Sequence, residues 1–574
     1  MVRFLAILAL FVQCAASYAA TYNFDEFIYP VEDIARLYSG SFGEMRTDHF
    51  HSGVDIKTDS VEGKPVVASY DGYVSRISLS PYGYGLAIYI AHPNGSTTVC
   101  GHLSKLRKDI EEYLVAERYR TKQNSLNLYP IPSQFPVKKG DLVAYSGNSG
   151  SSAGPHVHFE IRDSAQRPLN PVALGVITPN DNIKPLILNV YYAETHTIDG
   201  VCYTKGVSRY QVTETSRGVY KLLDRDVMWV GREGYFIFEV TDRRPEVTNT
   251  FGIYKLSGSI DDKPFYTFQH DGFSFAHTRY CNAISYYPYQ TSTSSEHYRM
   301  KRLDGVPREL IKYTDNNGVI TTKAGDERVV VIEAIDDMQN SSTLTFSIRG
   351  KDDADCFRAE PIAESRVIRA HKGSIFNEGD LFVSIPAGVV YEPTIFSSSV
   401  NEPTIELPES VKVYSMEHSV MSPDTPLQSS IEISIKAEIP ADEQKHVMMI
   451  STGRSGRSSA ISAKYSNGKV TAKTRSTGSF FVAVDNTAPT ITPSFAEGET
   501  LTNASSIKFV VDDDYSGLDS YSATIDGEWI ALDLKGSQLT HRFRNVADGE
   551  LHKVVITVTD KCKNSTTLTQ SFRR

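Results

Sequence analysis

Two histidines, His156 and His158, stand where a glycine- and serine-rich turn, GNSGSSAGP, runs into an alternating apolar segment, HVHFEIRD. In a strand, residues i and i+2 point to the same face. Both imidazoles are therefore expected to address one cavity from a rigid element. Imidazole nitrogen is a zinc ligand, and a catalytic zinc uses three protein ligands and keeps a position open for water. A His-x-His pair alone is more often polar surface or a hydrogen-bonded pair, so the rest of the chain has to supply the missing groups. His51-Ser52-Gly53-Val54-Asp55 offers an imidazole and a carboxylate at an even offset, again able to share a face. Gly53 between them lets the backbone bend close to a metal. His158 can be the third ligand. His102 and His156 then remain as imidazoles beside the metal. Such groups can act as general base toward a zinc-bound water and as donors to a tetrahedral oxyanion. Zinc lowers the pKa of that water to roughly 7.

The elements that must hold these residues read as short strands and turns. Gly63 to Val74, GKPVVASYDGYV, predicts turn, strand, turn and strand. Tyr84 to Ile90 and Thr97 to Cys100 predict a hairpin around Asn94-Gly95, its second arm ending in Gly101-His102-Leu103. Leu106 to Tyr119 has apolar residues at Leu106, Ile110, Leu114 and Val115, a helical period. Val137 to Tyr145 returns as turn and strand and delivers the chain to Gly147.

Four ordered motifs, HSGVD, GHL, VKKGDLVAYSGNSG and GSSAGPHVHFEI, together with GKPVVASYDGYVSRI, resemble the lysostaphin-type (LytM-like) zinc metallopeptidases over residues 40 to 172. Many members of that family cut peptidoglycan cross-links. The resemblance implies an antiparallel β core with the site in a groove flanked by loops. It implies His51, Asp55 and His158 as ligands of one Zn2+ per chain, and His102 and His156 as the catalytic histidines. His49 could also face the site, but the family spacing, Gly two residues and Asp four residues after the ligand, selects His51. Cys100 stands where an aromatic residue often precedes the His102 motif; it either packs simply or offers zinc an inhibitory thiol. Lys105 to Pro136 is longer than the minimal family loop and reads either as a groove wall or lid, or as a surface excursion. Glu160 reads as an orienting partner of His158 or as a strand surface charge, and His92 as a hairpin surface residue.

The chain of 574 residues is too long for one core and implies three to five domains. From Pro179 onward short alternating runs are separated by Asp, Asn and Gly turns, as in β-sandwiches. An internal repeat is legible. VVVIEAIDDMQNSSTLTFSIR (Val329–Arg349) aligns with KVVITVTDKCKNSTTLTQSFR (Lys553–Arg573), pairing Asp336 with Asp560 and Asn340 with Asn564. Phe238 to Asp242 resembles Phe509 to Asp512, and Ile260-Asp261 resembles Ile525-Asp526. The expected fold class is mainly β: a metallopeptidase domain at 20–178, immunoglobulin-like sandwiches at 179–350 and 487–574, and a β-rich domain at 351–486 between them. Tyr286, Tyr287 and Tyr289 offer either a carbohydrate-binding face or ordinary packing.

Arg3, the apolar run Phe4–Val12 and the small-x-small tract Ser17-Tyr18-Ala19 predict a signal peptide over residues 1–19. Lipoprotein processing at Cys14 is the alternative. No later stretch is apolar enough for a transmembrane helix. The net charge of −10, spread without acidic blocks, argues against nucleic acid as partner. Five cysteines remain after the signal, an odd number at long spacings, which excludes a disulfide scaffold. A Cys202–Cys281 bridge is the pairing to test against five thiols. The sequence thus points to an exported zinc metalloendopeptidase of the bacterial periplasm or cell envelope, secretion included. Its substrate would be peptidoglycan stem peptides and cross-links, with envelope proteins as partners of the β modules. The rival readings are a non-catalytic LytM-like regulator, which should lack one or more of the five residues, and an envelope scaffold or adhesion protein.

Overall fold

The computed structural model describes residues 22–290, 295–544 and 549–574. The expected signal peptide, with Cys14, lies outside them. The chain divides into two compact units: residues up to Glu112 with Asn127–Pro361, and Tyr113–Leu126 with Ile362–Arg574.

The N-terminal domain is built on one large sheet with a small one beside it. Its elements are β1 (Tyr38–Gly40), β2 (Val54–Lys57), β3 (Pro65–Val67), β4 (Gly72–Leu79), β5 (Leu86–Ala91), β6 (Thr97–Leu103), β7 (Lys105–Leu106), α1 (Lys108–Thr121), β8 (Leu126–Leu128), β9 (Pro136–Val137), β10 (Leu142–Tyr145), β11 (His156–Arg162) and β12 (Pro168–Leu169). The large sheet runs β1-β2-β11-β6-β5-β4-β8, with β9 on β4 and β12 on β11. The small sheet runs β3-β10-β7. Strand β6, TTVCGHL, lies between β11 and β5 and is buried throughout, which explains its continuous rather than alternating texture. The predicted hairpin is formed by β5 and β6, and Gly95 takes the positive φ (86°) that its turn requires.

The predicted helix is α1, with Ile110 and Leu114 buried. Its later residues, with the segment that follows, belong to the second unit. There the Arg118 guanidinium donates to Leu532 O at 3.2 Å and pairs with Asp533 at 2.9 Å. Leu532 N donates to Asn124 Oδ1 at 2.8 Å, and Tyr119 meets Trp529 edge-on at 5.4 Å. Residues 113–126, part of the Lys105–Pro136 tract, are thus packed and not a free surface excursion.

After residue 178 the described chain is mostly strand. A thirteen-stranded sheet system starting at Leu186 carries the second module, a ten-stranded system the third, and sheets of four and five strands the fourth. In the fourth, Phe509 and Val511 from one sheet pack against Val554, Ile556 and Phe572 from the other, so the two sheets share one core. The repeat holds in three dimensions. Glu327–Ile335 pairs with Ser341–Gly350 as Leu551–Asp560 pairs with Ser565–Arg573. In each turn the Asp (336 or 560) accepts from the backbone N–H and the Nδ2 of the Asn four residues on, all at 2.8 Å. Asp261 and Asp526 both sit at positive φ, and each accepts from the backbone N–H of Val329 or Lys553. Counted from the shared phenylalanine, Asp513, not Asp512, takes the place of Asp242.

Cys281 is a buried thiol that reaches Asn282 Oδ1 at 3.5 Å, so the Cys202–Cys281 bridge is not formed.

Candidate metal centre

The register of β2 on β11 makes the site. His158 stands directly opposite Asp55, and antiparallel partners present their side chains to the same face. Gly53 permits that approach. A Cβ there would lie 2.2 Å from Phe159 O and 2.9 Å from Glu160 Cγ. His51 arrives from the loop before β2, pinned by Gly43 N–H to His51 O and His51 N–H to Glu44 O at 2.8 and 2.9 Å. Phe50, 1 % exposed, anchors the loop against His270 and Phe273 of the second module.

Three atoms then converge. His51 Nε2 and His158 Nδ1 each lie 3.0 Å from Asp55 Oδ1 and 3.0 Å from one another. The other nitrogen of His51, Nδ1, lies 2.7 Å from Ser41 O. A carbonyl only accepts, so the proton sits on Nδ1 and Nε2 carries the lone pair toward the cluster. His158 is fixed by its opposite nitrogen: Nε2 lies 2.8 Å from Glu160 Oε1. Asp55 divides its oxygens, Oδ1 to the imidazoles and Oδ2 to Arg46 Nη2 at 3.3 Å.

Burial pushes the Asp55 carboxyl up, but the positive charge that His51 can carry, with His156 and His158 beside it, holds it well below the usual carboxylate range. Burial pushes His158 down, and its bonds to Asp55 and Glu160 outweigh this, raising it to about 9. Glu160 is likewise held anionic against burial by Arg162 and His158. A pocket that stabilises an added positive charge on an imidazole favours a cation there. Two nitrogens and a carboxylate oxygen, within 4.8 Å of one another, form a donor set that suits zinc.

The two remaining histidines lie beside these groups. Their ring centroids are 4.6 Å apart, and that of His102 is 6.0 Å from that of His158. His102 holds a left-handed backbone (φ 59°), rare outside glycine. It is fixed by its N–H to Tyr84 O and its Nδ1–H to Ser149 O, both at 2.8 Å. Burial, with His158 and His156 nearby, lowers its pKa to about 4. His156 Nδ1 donates to Gly154 O at 2.9 Å, and its Nε2 lies 3.5 Å from Asp55 Oδ1. Both imidazoles thus keep Nε2 free of backbone partners. The glycine–serine run is tied to the β4–β5 turn. Ser149 Oγ donates to Leu103 O at 2.7 Å and accepts from Leu86 N at 3.0 Å, while Ser151 Oγ accepts from Gly83 N at 3.0 Å.

All five expected site residues are brought together. His49 is not among them: it is exposed and bonded to Asp48. Cys100 faces Phe159 across the ladder, outside the cluster, and burial pushes its thiol up to about 12. His92 is no surface residue; it is buried, with Nδ1 to Asp71 O and Nε2 to Thr98 Oγ1. Tyr286 and Tyr289 pack on each other and on Tyr191. Glu160 is fully buried, not a surface charge. It accepts from Ser52 Oγ, Tyr84 OH and Arg162 Nε at 2.7, 2.5 and 2.6 Å. The sequence reading missed Arg46, Tyr84 and Arg162. The available signal was the i+2 series His156, His158, Glu160, Arg162 along one face of β11.

On that face, beyond Tyr84, a cavity of about 380 Å³ is bordered by Arg76, Ser80, Tyr89, Arg162 and Phe275.

Comparison with known proteins fits this geometry. Residues 49–118 match peptidase family M23, and residues 365–485 match a Zu5-like domain. A Neisseria meningitidis protein named DD-carboxypeptidase/endopeptidase Mpg is 31% identical over 135 residues, 24% of this chain and 25% of the relative. A Haemophilus influenzae protein named uncharacterized metalloprotease is 32% identical over 124 residues, 22% of this chain and 21% of the relative. The chain thus spans about a quarter of the length of these curated relatives. Among solved structures, a zinc-containing peptidase from Vibrio cholerae is 26% identical, covering 26% of this chain and 39% of that one (TM-score 0.19). The catalytic domain of lysostaphin from Staphylococcus simulans is 23% identical, covering 24% and 89% (TM-score 0.18). The domain that carries the histidine–aspartate cluster is therefore a peptidase M23, LytM-type, domain.

Proposed function

We propose that this protein is an exported zinc-dependent metalloendopeptidase that hydrolyses peptide cross-links of peptidoglycan. The observation that carries the reading is the convergence of His51 Nε2, Asp55 Oδ1 and His158 Nδ1 beside His102 and His156, whose Nε2 atoms bond to no backbone group. His51, Asp55 and His158 would hold the zinc. Bound there, zinc supplies a Lewis acid that makes water nucleophilic at neutral pH. The chain's own groups do the rest. His102 and His156, each with its proton fixed on Nδ1, present Nε2 as proton acceptor, and once protonated as donor to the oxyanion or the leaving amine. Arg46 and Glu160 hold Asp55 and His158 in their orientations. The cavity lined by Tyr89, Arg162 and Phe275 offers room for a stem peptide beside the site. The name of the Neisseria relative, DD-carboxypeptidase/endopeptidase, supports a D,D-bond as the one cut.

A non-catalytic regulator would lack part of the set, and all five residues are present and assembled. A scaffold role predicts that His158→Ala leaves function intact. The deciding measurement is digestion of purified peptidoglycan with products resolved by mass. Cross-linked muropeptides should be opened, and a chelator should abolish this. His51→Ala should lose metal; His102→Ala should keep it and lose turnover by roughly 10² or more. If the protein holds one zinc yet leaves every muropeptide and glycine-rich peptide intact, the reading is wrong.

A further inference from the structure

The second and fourth modules gather carboxylates at equivalent places. Asp181 and Asp485 open the modules in matching Asp-Asn-x-x-Pro tracts. Asp242 and Asp513 stand four residues after the shared phenylalanine, and Asp336 and Asp560 begin the repeated turn. The bonding repeats too. Asp181 Oδ1 accepts from Ile183 N and Asp485 Oδ1 from Thr487 N, both at 2.9 Å. The Nδ2 of Asn340 and of Asn564 reaches the carbonyls of Asp181 and Asp485 at 3.4 and 2.8 Å. Oxygens of Asp181, Asp242 and Asp336 lie within 4.8 Å of one another, as do those of Asp485, Asp513 and Asp514.

An acidic cluster alone is unremarkable on a surface, but these are interior. Asp242 is 1% exposed, and neither of its oxygens has a hydrogen-bond partner. Oδ2 of Asp485, a residue with no exposure, is also unpartnered. A buried carboxylate without a partner is costly unless it is neutralised. In the second module Arg244 supplies one positive charge, pairing with Asp337 at 2.5 Å and lying 3.6 Å from Asp181, against four carboxylates. Among the described residues, Asp485, Asp513, Asp514 and Asp560 form no ion pair. The two triads share two equivalent members, Asp181 with Asp485 and Asp242 with Asp513, and are completed by Asp336 in one module and by Asp514 in the other.

We propose that each cluster is a binding site for Ca2+, separate from the histidine centre and one per repeated module. The donor set is all oxygen, with no imidazole or thiolate, which suits hard cations and not zinc. Irregular carboxylate clusters gathered from strand ends and loops match the flexible coordination of Ca2+ better than the octahedron Mg2+ demands. A cation there would tie the residue that opens each module to the two strands that close its core.

The test uses the full chain with its zinc retained, stripped of loosely held cations and titrated with Ca2+ alone by calorimetry. Metal content is measured after dialysis. Saturable binding of two Ca2+ per chain is expected, with a melting temperature raised by roughly 3 °C or more at saturation. Asp242→Asn and Asp485→Asn should each remove one Ca2+, with zinc content unchanged. Asp514→Asn, at an exposed position of the same triad, tests the fourth module with the least cost to folding. Absence of saturable binding by the native chain below about 10 mM Ca2+, weaker than extracellular calcium modules require, overturns the proposal. So does unchanged stoichiometry in the folded variants.

Discussion

Glu160 has no side-chain exposure, and four donors converge on it. Through His158 Nε2 it sets which nitrogen faces the cluster, so its effect should appear in metal affinity before it appears in folding. Glu160→Gln keeps the shape and removes the charge. We expect zinc to bind roughly 10- to 100-fold more weakly, measured by competition with a chromophoric chelator, while His102→Ala binds zinc as the native protein does. Equal affinities in the Glu160 variant and the native chain would assign the carboxylate to packing alone. The five site residues were legible because spacing and type carried them: even offsets on strands, and a glycine where two backbones approach. Glu160 was ambiguous for a physical reason. In a sheet covered on both faces, alternation does not say which polar side chain meets water. His92 misled in the same way, since Phe27, far away in sequence, covers it at 5.0 Å.

At the scale of elements, the β2–β11 pairing decides whether there is a site at all. A slip of one residue would turn His158 away from Asp55. Gly53→Ala tests this contact directly, because the added methyl would press on Phe159 O at 2.2 Å. A loss of about 2 kcal/mol or more is expected in denaturant melts, with zinc stoichiometry below one. Wild-type stability and metal content in that variant would mean the two strands can separate without cost. The repeat between the second and fourth modules was legible from its turn residues, and Asp261 and Asp526 confirm it by sharing a left-handed backbone. The packing of residues 113–126 on Leu532 and Asp533 was not. A helical period shows which face is apolar but not what covers it.

At the scale of the whole molecule, one buried imidazole links stability to pH. His270 is fully buried among Phe42, Phe50, Phe268 and Phe273, and neither ring nitrogen has a hydrogen-bond partner. Burial, with Lys312 nearby, lowers its pKa to about 3. The unfolded chain takes up this proton near pH 6.5 and the folded chain does not. Its contribution is therefore complete above pH 6.5 and declines as pH falls toward 3, with about 2 kcal/mol gone by pH 5. His270→Gln should flatten the difference between melting temperatures at pH 7 and pH 5; an unchanged difference would place the acid sensitivity elsewhere. This group was not legible in the sequence, because a histidine between the polar Gln269 and Asp271 carries no local mark of burial.

The loop that delivers His51 has its hydrophobic footing outside the catalytic domain. Phe42 and Phe50 rest on His270 and Phe273, Phe50 N–H donates to Thr278 Oγ1, and Met45 N–H donates to Glu296. The peptidase is in this sense not portable. Cut after residue 178, or grafted onto another carrier, it would keep all five histidine and aspartate residues yet lose the support under one of them. The excised fragment should bind zinc poorly, and restoring residues 179–361 should restore its metal content. Selection on the second module would then be selection on catalysis, although that module contributes no atom to the cluster.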